Sequence, residues 1–294
     1  MSGKFKQIGF VGLGVMGEPM CRNLAVKSGL RVIGYDKDVL PLERLAQHGV
    51  QRGKSVGEAV KGSDVTFLCL PSGEAVHAVA HADGGLLQTV GEGQIVVDLS
   101  TSSVAVTREL QKAFGARGAT FIDAPIARTR AAAEAGKLSV MVGGDEATFE
   151  RVRPLIETFA EEITLCGPVG SGQVLKILNN MILFHNVLVL SQAKAIAEHA
   201  GVDATTLFET LAKGSADSFA LRNHGMKAVL KDDYPLRAFS VRYARKDLGY
   251  ARQLAESAGV DAQTAGEIDA LFERAIEAGH GDQYWPVISR TLQS

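Results

Sequence analysis

The chain has 294 residues, 46% of them apolar and 22% charged, with 32 glycines, a composition that excludes a disordered chain and leaves room for two domains. Its formal net charge is −2, with lysines and arginines dispersed among the acids, so nucleic acid is not expected as a partner. Three cysteines, Cys21, Cys69 and Cys166, stand far apart and form no CxxC or Cys/His cluster. No disulfide framework and no metal site are therefore expected, and a reducing cytoplasm suits the chain best.

The opening "MSGKFKQIGFVGLGVMG" pairs a lysine-bearing start with an apolar run, as a signal peptide does. Glycines punctuate that run and no small-residue cleavage site follows, so it reads as a strand entering a turn. Further strands are predicted at 31–36, 64–70, 94–100, 120–125 and 138–142, each bounded by Gly, Pro, Asp or Ser. Helices of ten residues or more lie between several of them, as at 103–118. This alternation implies a mostly parallel sheet with helices on both faces. After Cys166 helical patterns take over, at 171–200, 203–213 and 246–258. The domain boundary is expected at the Gly-rich "CGPVGSG" of 166–172, giving domains 1–166 and 167–294. The run "ILNNMILFHNVLVL" (177–190) is too short to span a bilayer and is broken by Asn179, Asn180, His185 and Asn186, so it reads as a buried helix and no membrane partner is expected.

Two motifs carry chemistry. "GLGVMG" sets Gly12, Gly14 and Gly17 on the GxGxxG spacing directly after a strand, with Leu13, Val15 and Met16 between them. The first glycine permits the tight turn, the second lets a pyrophosphate approach the backbone, and the third lets the helix pack on the strand. Asp36 ends the second strand nineteen positions after Gly17, where a carboxylate accepts hydrogen bonds from a ribose 2′-OH and repels a 2′-phosphate. NAD is therefore expected over NADP, with Lys37 beside it softening the preference. The second motif is "GPVGSGQVLKILNN" (167–180). In a helix starting near Ser171, Lys176 and Asn180 share a face. A buried lysine has its pKa lowered towards the range where it exchanges a proton at neutral pH; spacing alone leaves open that Lys176 snorkels to solvent. His185 and His224 lack metal-ligand spacing and read as buried or capping residues.

Read in order, "IGFVGLGVMGEPM" (8–20), "CLPSGEAV" (69–76), "DLSTSS" (98–103), "DAPIARTRAAAEAGKLSVMVGG" (123–144), "GPVGSGQVLKILNN" (167–180) and "ARKDLGYA" (244–251) closely resemble the signature blocks of the β-hydroxyacid dehydrogenase family over nearly the whole chain. The resemblance implies an α/β Rossmann-type nucleotide-binding domain, then an all-α C-terminal domain joined by a long helix, and NAD(P)-dependent interconversion of an alcohol and a carbonyl on a small anionic substrate. It places Lys176 on the catalytic lysine and Asn180 on the amide that orients substrate. Lys246 falls on the lysine near nicotinamide and substrate, and Leu70, Pro71 and Thr101 on positions lining the cofactor. It also implies a homodimer or homotetramer.

One block departs from the pattern. Ala127, Arg128 and Thr129 stand where the commoner members carry a small residue and two glycines that cradle the substrate carboxylate. The Arg-Thr pair resembles the block of sulfolactaldehyde reductases, which form 2,3-dihydroxypropane-1-sulfonate. A guanidinium fork and a hydroxyl suit the three acceptor oxygens of a sulfonate. The alternative is that Arg128 points outward or pairs with Glu134 and a carboxylate is held as usual; Arg130 reads as a surface charge. A carboxylate-specific dehydrogenase of the 3-hydroxyisobutyrate, tartronate semialdehyde or 4-hydroxybutyrate type is thus the second expectation, and a non-catalytic dinucleotide sensor the third.

Overall fold

A computed structural model describes residues 5–292, so the lysine at position 4 in the signal-like start lies outside the described residues. The chain divides into two units, Met1–Lys176 and Ile177–Ser294. In the first, β1 (Gln7–Val11) runs straight into the glycine loop and α1 (Gly17–Ser28), as the opening motif predicts. Then follow β2 (Arg31–Tyr35), α2 (Val39–Ala46), β3 (Val50–Arg52), α3 (Val56–Val60), β4 (Val65–Leu68), α4 (Gly73–His81), α5 (Leu86–Thr89), β5 (Ile95–Asp98) and α6 (Val104–Gly115). The unit continues with β6 (Thr120–Asp123), β7 (Ile126–Ala127), α7 (Arg130–Ala135), β8 (Leu138–Gly143), α8 (Glu146–Ile156) and β9 (Ala160–Gly167).

The strands form one sheet in the order β3-β2-β1-β4-β5-β6-β8-β7, with β9 pairing with β8. Pairing is parallel from β3 to β6 and antiparallel where β8 meets β6 and β7. The central strands β4 and β5 are buried along their whole length, as strands covered on both faces must be. Ile8, Phe10, Phe67, Val96 and Phe121 anchor their core.

The second unit starts inside α9 (Ser171–His199) and is helical: α10 (Ala204–Leu211), a π-helical segment (Leu221–Val229), α11 (Val241–Ser257), α12 (Gln263–Glu277) and a closing 3₁₀ segment (Trp285–Leu292). Its own core gathers Phe184, Phe208, Phe272 and Trp285. The apolar run of 177–190 sits inside the 29-residue helix α9, of which an 18-residue stretch reaches a mean hydropathy of 1.5, long and apolar enough to cross a membrane by length and composition alone. Phe184 and Val187 on this helix are buried in the helical core, while Ile182, Val189 and Ile196 remain exposed.

The units part at 176/177, ten residues beyond the boundary expected from the Gly-rich hinge, and the reason is local. Asp123, at the end of β6, is fully buried and accepts from the backbone N–H of Gly170 (2.7 Å) and of Gln173 (2.8 Å). The Gln173 side chain in turn accepts from Ser102 N (3.0 Å) and donates to Ser100 O (2.8 Å). The first turn of α9 is thereby tied into the sheet unit. Gly172 is required there, because a Cβ at that position would come within 2.2 Å of the Met141 carbonyl oxygen.

Asp98 stands beside Asp123 in the β5–β6 register, is also fully buried, and accepts from Ser100 N (2.9 Å) and Ser102 Oγ (3.1 Å). Burial, reinforced by the neighbouring Asp123, pushes it up from the ordinary 3.8 to about 6. A raised carboxyl contributes stability that is complete below its ordinary value and lost as pH rises through the folded value. His224, pushed down to about 4 by burial, works in the opposite sense over the same window. The isosteric Asp98→Asn variant isolates the first effect: between pH 5 and 7.5 its melting temperature should fall less, or rise more, than that of the wild type. Identical pH profiles by calorimetry would show that Asp98 titrates normally.

Candidate active site

The glycine loop is held open at one point and closed at the others. Gly12 has φ 94°, and a Cβ on it would lie 2.2 Å from the Cys69 carbonyl oxygen, so neither a side chain nor an ordinary φ fits. Around Gly14 nothing lies within 4 Å of where a Cβ would stand. Glycine there is not demanded by the protein's own packing, and it leaves a bare backbone surface that a pyrophosphate can approach. Helix α1 begins after Met16 with no side-chain cap, so its positive end is not satisfied from within its own sequence. This is a cradle suited to a dinucleotide.

Asp36 lies just past β2, half-buried, and its Oδ2 accepts from Leu13 N at 2.5 Å while Oδ1 accepts from Asp38 N at 2.8 Å. The carboxylate predicted to meet a ribose thus also holds the glycine loop. Leu70 is joined to the loop after β5 by Leu70 N donating to Ser100 Oγ at 2.9 Å, which brings the expected cofactor-lining segments at 70–71 and 101 to neighbouring strand ends. Pro71 is exposed and Thr101 half-buried.

The turn expected to hold the substrate anion has an unexpected backbone. Ala127 ends β7, paired with Ser139 of β8, and Thr129 caps α7 by accepting from Ala132 N at 3.4 Å. Between them Arg128 sits at φ 85°, in the left-handed region, at a cost of about 1–2 kcal/mol for an L side chain. It keeps a glycine-like backbone without being glycine. Its guanidinium donates from Nη1 to the Lys137 carbonyl oxygen (2.7 Å) and to Glu161 Oε2 (3.0 Å). The partner is therefore Glu161 on β9 rather than Glu134, which takes Arg130 instead at 2.9 Å.

On α9, Gln173, Lys176 and Asn180 recur at spacings of three and four and share a face. Lys176 is half-buried and Asn180 is 1% exposed. Asn180 Nδ2 donates to Asp247 Oδ2 at 2.7 Å, and its Oδ1 accepts from Asn179 at 3.1 Å, which fixes the amide's orientation. Asp247, itself 3% exposed, also pairs through Oδ1 with Lys246 Nζ at 2.7 Å, and that ammonium lies 4.8 Å over the Tyr250 ring. Lys246 and Asn180 thus meet on one carboxylate that sequence reading passed over, although "KDL" shows an acid beside the lysine. His185 bonds Met181 O and Thr264 Oγ1, both at 2.7 Å, and buried His224 bonds the Tyr284 hydroxyl.

Residues 7–167 match the NAD binding domain of 6-phosphogluconate dehydrogenase, and residues 170–287 match the domain described as NAD-binding of NADP-dependent 3-hydroxyisobutyrate dehydrogenase. The chain belongs to the β-hydroxyacid dehydrogenase family and is an NAD(P)-dependent oxidoreductase acting on CH–OH groups. Among its relatives, 2-hydroxy-3-oxopropionate reductase of Escherichia coli is 33% identical over 275 residues, covering 93% of this chain and 92% of the relative. The 2-(hydroxymethyl)glutarate dehydrogenase of Eubacterium barkeri is 31% identical over 278 residues, covering 94% and 92%. The structure of Mycobacterium tuberculosis 3-hydroxyisobutyrate dehydrogenase with L-serine superposes with a TM-score of 0.88 at 31% identity, over 98% of this chain and 99% of that one.

The double duty of Asp36 sets an expectation. Asp36→Ala should raise the KM for NADH more than that for NADPH, narrowing or reversing the preference. Steady-state kinetics with both nucleotides checks this, and a wild type that already prefers NADPH would refute the assignment of Asp36.

Proposed function

We propose that the protein interconverts a small anionic semialdehyde and its hydroxy acid, with the anion held at the 127–129 turn and the reacting oxygen met by Lys176 and Asn180. The observation that carries this reading is Arg128 at φ 85°. Backbone strain of this kind persists where the surroundings over-determine it, and it concentrates at ligand clamps. A left-handed backbone bearing an arginine, at the turn where the resemblance expects glycines, supports an anion-holding role for this turn.

When bound, the nicotinamide supplies or accepts hydride at the substrate carbon. The chain's own work is proton transfer and positioning. In the reducing direction the Lys176 ammonium donates a proton to the carbonyl oxygen as it gains charge; in oxidation the neutral amine takes it back. Asn180 has one amide hydrogen spent on Asp247 and offers the other to the same oxygen. Lys246, balanced by Asp247, supports that amide, and Gly12 to Gly17, Asp36, Leu70, Pro71 and Thr101 hold the cofactor. The free thiols Cys21, Cys69 and Cys166 suit a reducing cytoplasm as the place of action.

The finer reading is 3-sulfolactaldehyde reduced to 2,3-dihydroxypropane-1-sulfonate, supported by the guanidinium and hydroxyl at 128 and 129. It asks Arg128 to exchange Glu161 for substrate, a small cost for an exposed pair. The second reading, a carboxylate substrate held by the turn's backbone, is favoured by the same Arg128–Glu161 contact, which turns the guanidinium to a partner of its own. Ala127, Thr129 and the backbone of 128 then do the holding. The homo-oligomer belongs to the same proposal. Ile182, Val189 and Ile196 are exposed at intervals of seven on α9, a repeat that lets two copies of one helix pack against each other. Sedimentation that returns only monomer at micromolar concentration would exclude it.

Turnover of short semialdehydes carrying a sulfonate or a carboxylate, by wild type, Lys176→Ala and Arg128→Gly, tests the reading. Lys176→Ala should lose about a hundred- to ten-thousandfold in kcat with NADH binding retained. Arg128→Gly relieves the strained backbone and should lose about ten- to a hundredfold in kcat/KM on the sulfonate alone, the worth of a charge-assisted hydrogen bond. An equal loss on both substrates would make Arg128 a support of the loop through Glu161, and near-normal turnover in Lys176→Ala would move the proton donor elsewhere.

A further inference from the structure

Helices α4 and α6 follow the two cofactor-lining segments directly: α4 starts after Leu70 and Pro71, α6 after Thr101. They pack closely at their N-terminal ends, where a Cβ on Gly73 would lie 3.1 Å from that of Ser102. Further along the same pair, His77 and His81 of α4 face Glu109 of α6. His77 Nε2 is 3.0 Å from Glu109 Oε1, and the two imidazoles stack with centroids 4.1 Å apart and planes 25° apart. One ligand atom from each of the three residues lies within 4.8 Å of the others.

We propose that His77, His81 and Glu109 bind a divalent transition-metal ion of the zinc class, bridging α4 to α6. The donor set of two imidazoles and a carboxylate is one that zinc takes, with ligands at about 2.0–2.2 Å and a fourth position left to water. Tetrahedral ligands at that radius stand about 3.3 Å apart. The His77–Glu109 pair is already near that spacing at 3.0 Å, and bringing in the third donor from within 4.8 Å needs an adjustment of up to about 1.5 Å, within the reach of a side-chain rotation.

The tautomer is prepared as well. His81 Nδ1 lies 3.0 Å from the His77 carbonyl oxygen. A neutral ring that donates there carries its lone pair on Nε2, which is how second-sphere carbonyls fix metal-binding histidines. A simple ion pair accounts for His77 and Glu109 but gives His81 no task, since a single carboxylate balances only one imidazolium. All three side chains reach solvent, with His77 and Glu109 41% and 55% exposed. An ion can therefore enter without opening the fold, taking the place of the His77–Glu109 contact. A bound ion would cross-link the helices behind the two strand-end segments, steadying them without touching the reacting atoms.

The site is tested on the full chain, stripped with chelator and titrated with zinc chloride by calorimetry, beside His81→Asn and Glu109→Gln. The wild type should take one zinc per chain, and its melting temperature should rise with zinc and return on addition of EDTA. His81→Asn should weaken binding by about tenfold or more, the loss of one ligand in three, and Glu109→Gln should weaken it measurably. Both substitutions are on the surface, and circular dichroism of the variants confirms their folding independently. Absence of saturable binding in the wild type would overturn the proposal. So would binding unchanged in both variants, which would put the ion on other histidines or on the cysteines.

Discussion

The carboxylate of Asp123 holds the arrangement together. A charged group with no exposure accepts from two amides at the start of α9, and those amides have no partner within the helix itself. Neither side is stable alone: the acid needs donors to offset its burial, and the helix end needs an acceptor that water cannot reach to supply. Gln173 locks the same turn to Ser100 and Ser102. Lys176 lies one turn further on, so its place relative to the strand ends is fixed by a short hydrogen-bonded path rather than by loop packing.

A second constraint acts at the turn after β7. There the backbone keeps the shape that glycine would give, and the side chain is secured by Glu161 from β9 and by the Lys137 carbonyl. The energy spent on φ is offset by contacts made 9 and 33 positions away. Asn180 shows the same logic in the helical unit, where Asp247 and Asn179 between them leave its amide one orientation.

The sheet unit was legible because its signals are local. Six apolar runs with turn residues at their ends became β1, β2, β4, β5, β6 and β8, and the glycine spacing gave the loop. The strands that escaped notice lack such signals: β3 is Val-Gln-Arg with two exposed residues, β7 has two residues, and β9 is an edge strand opening Ala-Glu-Glu. The hold of the sheet unit on the first turn of α9 was not legible for a different reason. Gly-rich composition marks flexibility of the free chain, whereas the hydrogen bonds of Asp123 that cancel it come from 47 and 50 positions upstream. Asp247, Glu161 and the company of His77 belong to the same class, since each takes its role from a partner distant in sequence. The spacing "HAVAH" was visible in the chain; the arrival of Glu109 was not.

The bond from Leu13 N to Asp36 has a consequence for how this chain can change. The residue expected to meet the ribose of the nucleotide is also a fastener of the glycine loop. Exchanging Asp36 for a neutral or basic residue therefore alters two things at once, and the second is a loss whichever nucleotide is offered. A route to a new nucleotide specificity would run first through a compensating acceptor for Leu13 N and only then through position 36. Lineages or designed variants that make the exchange in the reverse order must pass through a form with a loosened loop and poor use of both nucleotides.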